Sequence, residues 1–289
     1  MHWEITEGDG TRRIAGLDYG GEGRPILLHH ANGFCAGTWG LVAGHLTKRH
    51  RVYAMDARGH GDSDACRVPE EAEWPSFVSD AAQVARLIAE AHGESRLAMA
   101  VGSSFGGIVC ACAEAYHGPC FERIVMLDPP IHPNAQMCAA LGLPAPPEGP
   151  TRQNELVEMT LRRRSEWPSR EALVESWQGK AMFADWQPGG FELYLDHGFK
   201  DLPDGSVALK CDPQVEANIF ATTGVMDPLD FLPRVTVPVQ LVRAVHGFFP
   251  EDLFRALADV LPNGTYLEID AGHLLPLEAP EQCVEVVLT

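Results

Sequence analysis

Residues 101–107 read VGSSFGG, and Gly102, Ser103, Ser104, Phe105 and Gly106 fill the pattern G-x-S-x-G. An apolar run over 97–101 precedes this stretch, and the small and apolar residues 108–115 follow it. The order predicts a strand, a tight turn and a helix. A serine held on so sharp a turn takes strained backbone angles, and the positions two residues away must lack bulk. Such a turn lifts the Ser104 hydroxyl clear of a sheet and sets it at a helix N-terminus, which favours developing negative charge. A glycine-rich turn without chemistry would fit the same five residues, so the rest of the chain has to decide.

On the N-terminal side, Ile5 and residues 14–17 predict two strands joined by a hairpin around 8–10. Pro25–His29 is a short apolar run suited to a buried strand and leads into HHANGFCAGTW, with a helix expected over about 38–47. Arg51–Met55 is the next strand, ending in Asp56 and the turn DARGHGDSD. Ser76 is placed to N-cap a helix whose Phe77, Ala81, Val84 and Ile88 share one face, with Gly93 as its stop. On the C-terminal side, Ile124–Leu127 is another buried strand, followed by Asp128-Pro129-Pro130.

The alternation then breaks. Residues 131–223 are tryptophan-rich, helix-like and punctuated by proline, with Thr151 and Ser169 as N-cap candidates. Regular order resumes with a strand over 237–243, a helix over 250–261, a strand over 265–269 and a helix over 279–288. Strands alternating with helices predict a mostly parallel, eight-stranded α/β sheet covered by helices on both faces. The expected division is a core of residues 1–130 and 224–289 with an inserted helical cap over 131–223.

The chain has 289 residues, with 22 basic and 40 acidic side chains for a net charge of −18. Such a surface repels phosphate backbones, so nucleic acid is not an expected partner. The start, MHWEITEGDGTRR, lacks the apolar core of a secretory leader, and no apolar run approaches membrane-spanning length. A cytoplasmic location, no membrane partner, and a monomer or homodimer are the expectations. The eight cysteines are scattered without C-x-x-C spacing and read as reduced, mostly buried residues.

Four motifs now stand in order: HANG after the third strand, DARGHGDS after the fourth, GSSFGG after the fifth and AGHLLPLEAPE after the eighth. In this the chain resembles the α/β-hydrolase superfamily over its two flanking portions. The resemblance implies that Ser104 is the nucleophile, with Ser103 a bystander at the variable position. His273, just after the last strand, stands where the family places its general base.

The acid is less direct. The family usually supplies it from the loop after the seventh strand, here RAVHGFFP, which holds no carboxylate before Glu251 and Asp252. Those two follow Pro250 at a helix start, where acids also belong for dipole reasons. Asp128, at the end of the sixth strand, matches a place from which some members, including certain haloalkane dehalogenases and lactonases, take their acid. Asp128 is the expected acid, with Asp252 and Glu251 as the alternatives.

The oxyanion hole is expected from the backbone N–H of Phe105 and one from the HANG loop, Asn32 first, with Gly33 or Phe34 as shifts. His30 is expected to brace that loop, and His30, Phe34, Trp186 and Phe248 are the candidate pocket residues. His60, Asp62 and Asp64 form an H-x-D-x-D string, read as part of a structural turn and not as a metal site; no metal or cofactor is expected. Arg162, Arg163 and Arg164 read as a positive helix end on a solvated face, and Arg243 as half of an ion pair with a core acid. Most aromatic residues of the insertion, among them Trp167, Trp177, Phe183, Phe191, Tyr194 and Phe199, are expected to form its own core.

The activity these residues imply is hydrolysis of a small, fairly apolar ester, thioester or lactone through an acyl-enzyme. C–C bond hydrolysis on the same fold and a non-hydrolytic ligand-binding protein are the alternatives.

Overall fold

A computed structural model of the chain describes residues 1–8, 10–68, 71–146 and 152–289. The strands before the insertion are β1 (His2–Glu7), β2 (Gly10–Gly20), β3 (Pro25–His29), β4 (Arg51–Met55), β5 (Met99–Ser103) and β6 (Ile124–Leu127). Helices α1 (Gly40–Leu46), α2 (Trp74–Ala91) and α3 (Phe105–His117) follow β3, β4 and β5 in turn. Residues 131–223 then carry α4 (Ala135–Leu141), α5 (Arg152–Leu161), α6 (Arg170–Trp177), α7 (Gly190–Gly198) and α8 (Pro213–Ala221). They also carry three short strands, β7 (Glu166–Trp167), β8 (Phe199–Asp201) and β9 (Val207–Leu209). After α9 (Pro228–Phe231) come β10 (Val239–Ala244), α10 (Glu251–Val260), β11 (Gly264–Ile269), α11 (Leu275–Glu278) and α12 (Pro280–Leu288).

The main sheet has eight strands in the order β1-β2-β4-β3-β5-β6-β10-β11. β1 and β2 form the expected antiparallel hairpin, and β2 runs antiparallel to β4; the remaining pairs are parallel. Strands β3, β5 and β6 are buried at every position, as apolar runs must be when helices cover both faces of a parallel sheet. Phe77, Val84 and Ile88 of α2 and Leu253, Phe254 and Leu257 of α10 pack into the core on one face. Val42 and Leu46 of α1 meet Cys283 and Val287 of α12 in the core on the other.

Helix α2 begins at Trp74, two residues before the expected cap. Pro75 supplies the reason: its fixed φ suits the first helical turn, and it places Ser76 inside the helix. The helix expected over 38–47 opens as a single tighter turn, Ala36–Trp39, before α1. Thr151 lies outside the described residues, whereas Ser169 caps α6 by accepting the Ala172 N–H at 3.2 Å.

Helices alone do not make the insertion. β7, β9 and β8 form a small antiparallel sheet, whose two- and three-residue strands are too short to leave a periodic trace. Trp167 on β7 and Phe199 on β8 both meet the Trp177 ring edge-on, with centroids 5.7 and 5.1 Å away. Trp167, Trp177, Tyr194 and Phe199 are buried together in an aromatic cluster that Cys35 and Leu277, from outside the insertion, also join. Among the described residues no helix is long and apolar enough to cross a membrane.

Candidate active site

The turn between β5 and α3 holds Ser104 at φ 50° and ψ −118°. Ser104 and Asp128 are the non-glycine residues with positive φ among those described. Strain of this kind costs on the order of 1–3 kcal/mol and persists only where surrounding structure enforces it. Crowding explains the flanking glycines. A Cβ on Gly102 would run into the Gly106 carbonyl group, and one on Gly106 into the backbone of His29. Phe105 is the first residue of α3, so its N–H is one of the helix's first donors, which have no partner within the helix.

Three side chains from three strand ends meet there. His273 Nε2 lies 2.9 Å from Ser104 Oγ, and His273 Nδ1 lies 2.6 Å from Asp128 Oδ2. Asp128 is fully buried, and its other oxygen accepts the Ala244 N–H at 3.0 Å. With Nδ1–H donating to the carboxylate, Nε2 presents its lone pair to the serine hydroxyl. The loop after β10 leaves room for this acid through Gly247, where a Cβ would come within 2.7 Å of Asp128 Oδ2. Glu251 and Asp252 are elsewhere: both are exposed at the start of α10, and Glu251 pairs with Arg255 at 2.7 Å.

Three buried imidazoles, His29, His30 and His60, lie at the HANG loop. His30 accepts the Ala57 N–H at Nε2 (2.9 Å) and donates from Nδ1 to the Ala31 carbonyl (2.8 Å), so both its nitrogens serve the backbone. His60 accepts the Gly33 N–H at Nε2 (3.1 Å) and donates from Nδ1 to the Arg58 carbonyl (3.0 Å). Burial pushes the pKa of His30 and of His60 down to about 3 and that of His29 to about 4, so all three are neutral at pH 7. Of the candidate oxyanion donors in this loop, Gly33 is committed to His60, and the Phe34 N–H donates to the Ala31 carbonyl at 3.1 Å. The Asn32 N–H has no such partner among the described residues.

The DARGHGDS side chains diverge. His60 turns to the HANG loop, Asp62 pairs with Lys210 at 2.7 Å, and Asp64 pairs with Arg13 at 3.4 Å. Arg243 pairs with Glu268 on the neighbouring strand at 2.6 Å; this acid is partly exposed and is not the expected core partner. Arg163 departs from the solvated face expected for it. Arg162 and Arg164 are exposed, but Arg163 turns inward and grips the buried Glu216 at 2.7 and 2.8 Å. Burial pushes the Glu216 carboxyl up, and the Arg163 guanidinium opposes that shift.

Around the relay, Phe34 packs on Tyr194 (4.9 Å) and Trp186 (5.9 Å), which brings the HANG loop against the insertion. Phe248 and Phe249 touch the His273 ring at 5.4 and 5.9 Å; Phe248 is half exposed and carries the Arg152 guanidinium 4.7 Å above it. His132 packs on the Phe249 ring at 5.4 Å, and burial with the nearby His273 lowers its pKa. His132 and Glu216 were not legible as residues near the site, and Tyr194 was read only as one of the insertion's aromatic residues. For His132 the signal was its place just past the end of β6, the side of the sheet where Asp128 lies. Glu216 was marked only as an acid between Val215 and Ala217.

The model of the Alpha/beta hydrolase family matches residues 26–286. N-formylmaleamate deformylase of Pseudomonas putida is 24% identical over 275 residues, covering 90% of this chain and 85% of the relative. Abhydrolase domain-containing protein AFT2-1 of Alternaria alternata is 24% identical over 232 residues, 65% of this chain and 80% of that one. Among solved structures, E-2-(acetamidomethylene)succinate hydrolase superposes with a TM-score of 0.76 at 17% identity, covering 99% of this chain and 97% of the other. The elbow, the strand order and a family match that begins within β3 and runs through the last strand of the sheet agree: the chain belongs to the alpha/beta hydrolase family, whose relatives here include hydrolytic enzymes.

Proposed function

We propose that the chain is a serine hydrolase that cleaves a small, fairly apolar carboxylic ester, thioester or lactone through an acyl-enzyme. The observation that carries this reading is the unbroken relay from Ser104 Oγ through His273 to the buried Asp128. His273 Nε2 takes the hydroxyl proton as Ser104 attacks the carbonyl carbon. The oxyanion forms between the N–H groups of Phe105 and Asn32. Asp128 holds the tautomer and stabilises the imidazolium. The proton on Nε2 then passes to the leaving alcohol, thiol or ring oxygen, and water repeats the sequence to free the acid.

A second reading, cleavage of an acyl–nitrogen bond in a small acid, is favoured by the alignment with N-formylmaleamate deformylase over most of both chains. Arg152 supports it by placing a guanidinium one aromatic ring away from His273, although Glu155 shares that cation at 3.3 Å. The chemistry at Ser104 is the same; the leaving group is an amine that His273 must protonate.

A fluorophosphonate probe tests the shared step. Wild-type protein is expected to be labelled at Ser104 and Ser104→Ala to stay unlabelled. Turnover is then screened on p-nitrophenyl esters, lactones, thioesters and N-formyl amides of small acids, with Ser104→Ala as blank. Labelling that persists in Ser104→Ala rejects the nucleophile, and turnover of dienoic or diketone compounds alone would move the reading to C–C cleavage.

A further inference from the structure

The loop that carries the proposed oxyanion donor is held from the insertion as well as from the sheet side. Gly33 has φ 79°, and its carbonyl accepts the Tyr194 O–H at 3.0 Å within the protein interior. The Asn32 side chain donates from Nδ2 to the Glu216 carbonyl at 3.0 Å. The Glu216 carboxylate lies against Gly33 so closely that a Cβ there would sit 2.6 Å from it. That carboxylate is locked by two bonds from Arg163. From the sheet side, His60 accepts the Gly33 N–H, and His30 donates to the Ala31 carbonyl, the other end of the peptide that carries the Asn32 N–H. The loop is thus clamped between His60 beneath it and Tyr194 and Glu216 from the insertion.

We propose that Tyr194 and the Arg163–Glu216 pair are positioning residues that set the direction of the Asn32 N–H, so the insertion completes the oxyanion hole and is not merely a pocket wall. This rests on the serine-hydrolase reading above. The physical reason is leverage. An oxyanion donor works only within a few tenths of an ångström of its target, and the turn at Gly33 has no side chain with which to fix itself. Bonds to the N–H and to the carbonyl of Gly33, and from the Asn32 side-chain amide, restrict the rotation that would swing the Asn32 N–H away. A buried carboxylate beside a glycine is costly to keep unpaired, so Arg163 keeps Glu216 seated.

The test combines steady-state kinetics on a p-nitrophenyl ester with the second-order rate of fluorophosphonate labelling, which also builds charge on an oxygen in the hole. Tyr194→Phe keeps the ring and removes one O–H. Its kcat and labelling rate are expected to fall together, roughly ten-fold, short of the ~10²–10³ that loss of a donor itself brings. KM should stay within about two-fold and the melting temperature near wild type. Arg163→Met should lower kcat and labelling in the same way but at a reduced melting temperature, since it leaves the buried Glu216 carboxylate unpaired; Arg163→Lys should recover part of the rate, and Arg162→Ala should change nothing. A rise in KM with kcat and labelling unchanged overturns the inference while leaving the serine-hydrolase reading intact. Wild-type protein that neither labels nor turns over any ester rejects both.

Discussion

At the residue scale the acid is the informative position. The loop after β10 brings Gly247 where a side chain would crowd Asp128, and Asp128 fills that space from the end of β6. A strained φ of 46° turns its carboxylate toward His273. Asp128→Asn keeps the shape but no longer favours the imidazole tautomer or its cation. Turnover of any substrate found for the wild type is expected to drop on the order of 10⁴-fold with the fold retained. Asp252→Asn, at an exposed helix start, should leave it unchanged. If the two outcomes were exchanged in a kinetic comparison, Asp128 would be a turn residue and nothing more.

At the scale of elements, the chain separates glycines that a contact demands from glycines that are merely tolerated. Gly106 sits where α3 leaves the elbow, against the backbone of β3, and Gly44 lies in α1 with nothing near its missing Cβ. Gly106→Ala must push a strand and a helix apart. It is expected to lower stability by at least the ~1–3 kcal/mol of an overpacked core and to abolish labelling at Ser104. Gly44→Ala should instead stabilise by about 0.5–1 kcal/mol, since it restricts the unfolded chain and suits a helix. Urea denaturation of both variants decides, and equal effects would mean the elbow has slack that its geometry does not suggest.

For the whole molecule, the buried imidazoles make stability depend on pH. His29, His30 and His60 have pKa values lowered to about 4, 3 and 3 in the folded protein, against an ordinary value of 6.5. Their contribution is complete above that ordinary value. It drains as pH falls below it, because only the unfolded chain can then bind their protons, and it stops draining below the folded values. Asp56, Asp80 and Glu216 are raised by burial and act in the opposite direction, taking up protons in the folded state. The three histidines cover the window between pH 6.5 and 5, so the melting temperature is expected to fall across it. A flat or rising melting temperature there would mean that the buried acids dominate.

The sequence alone determined the parts whose signals are local. Apolar runs marked β3, β4 and β6, and glycine spacing marked the elbow, because strand burial and turn sterics are properties of a few consecutive residues; Asp128 was expected from the family resemblance, with Asp252 and Glu251 as alternatives. Only the tertiary structure decided what meets across long separations. Ser104 and His273 are 169 residues apart and His273 and Asp128 are 145 apart, and no local pattern carries such distances. The same holds for Arg163, one of three adjacent arginines. What turns it inward is Glu216, 53 residues on, which needs a cation once it is buried beside Gly33. For VGSSFGG itself, sequence set the sharpness of the turn. Which N–H groups of the HANG loop are already engaged only the tertiary structure shows: that of Gly33 goes to His60 and that of Phe34 to the Ala31 carbonyl.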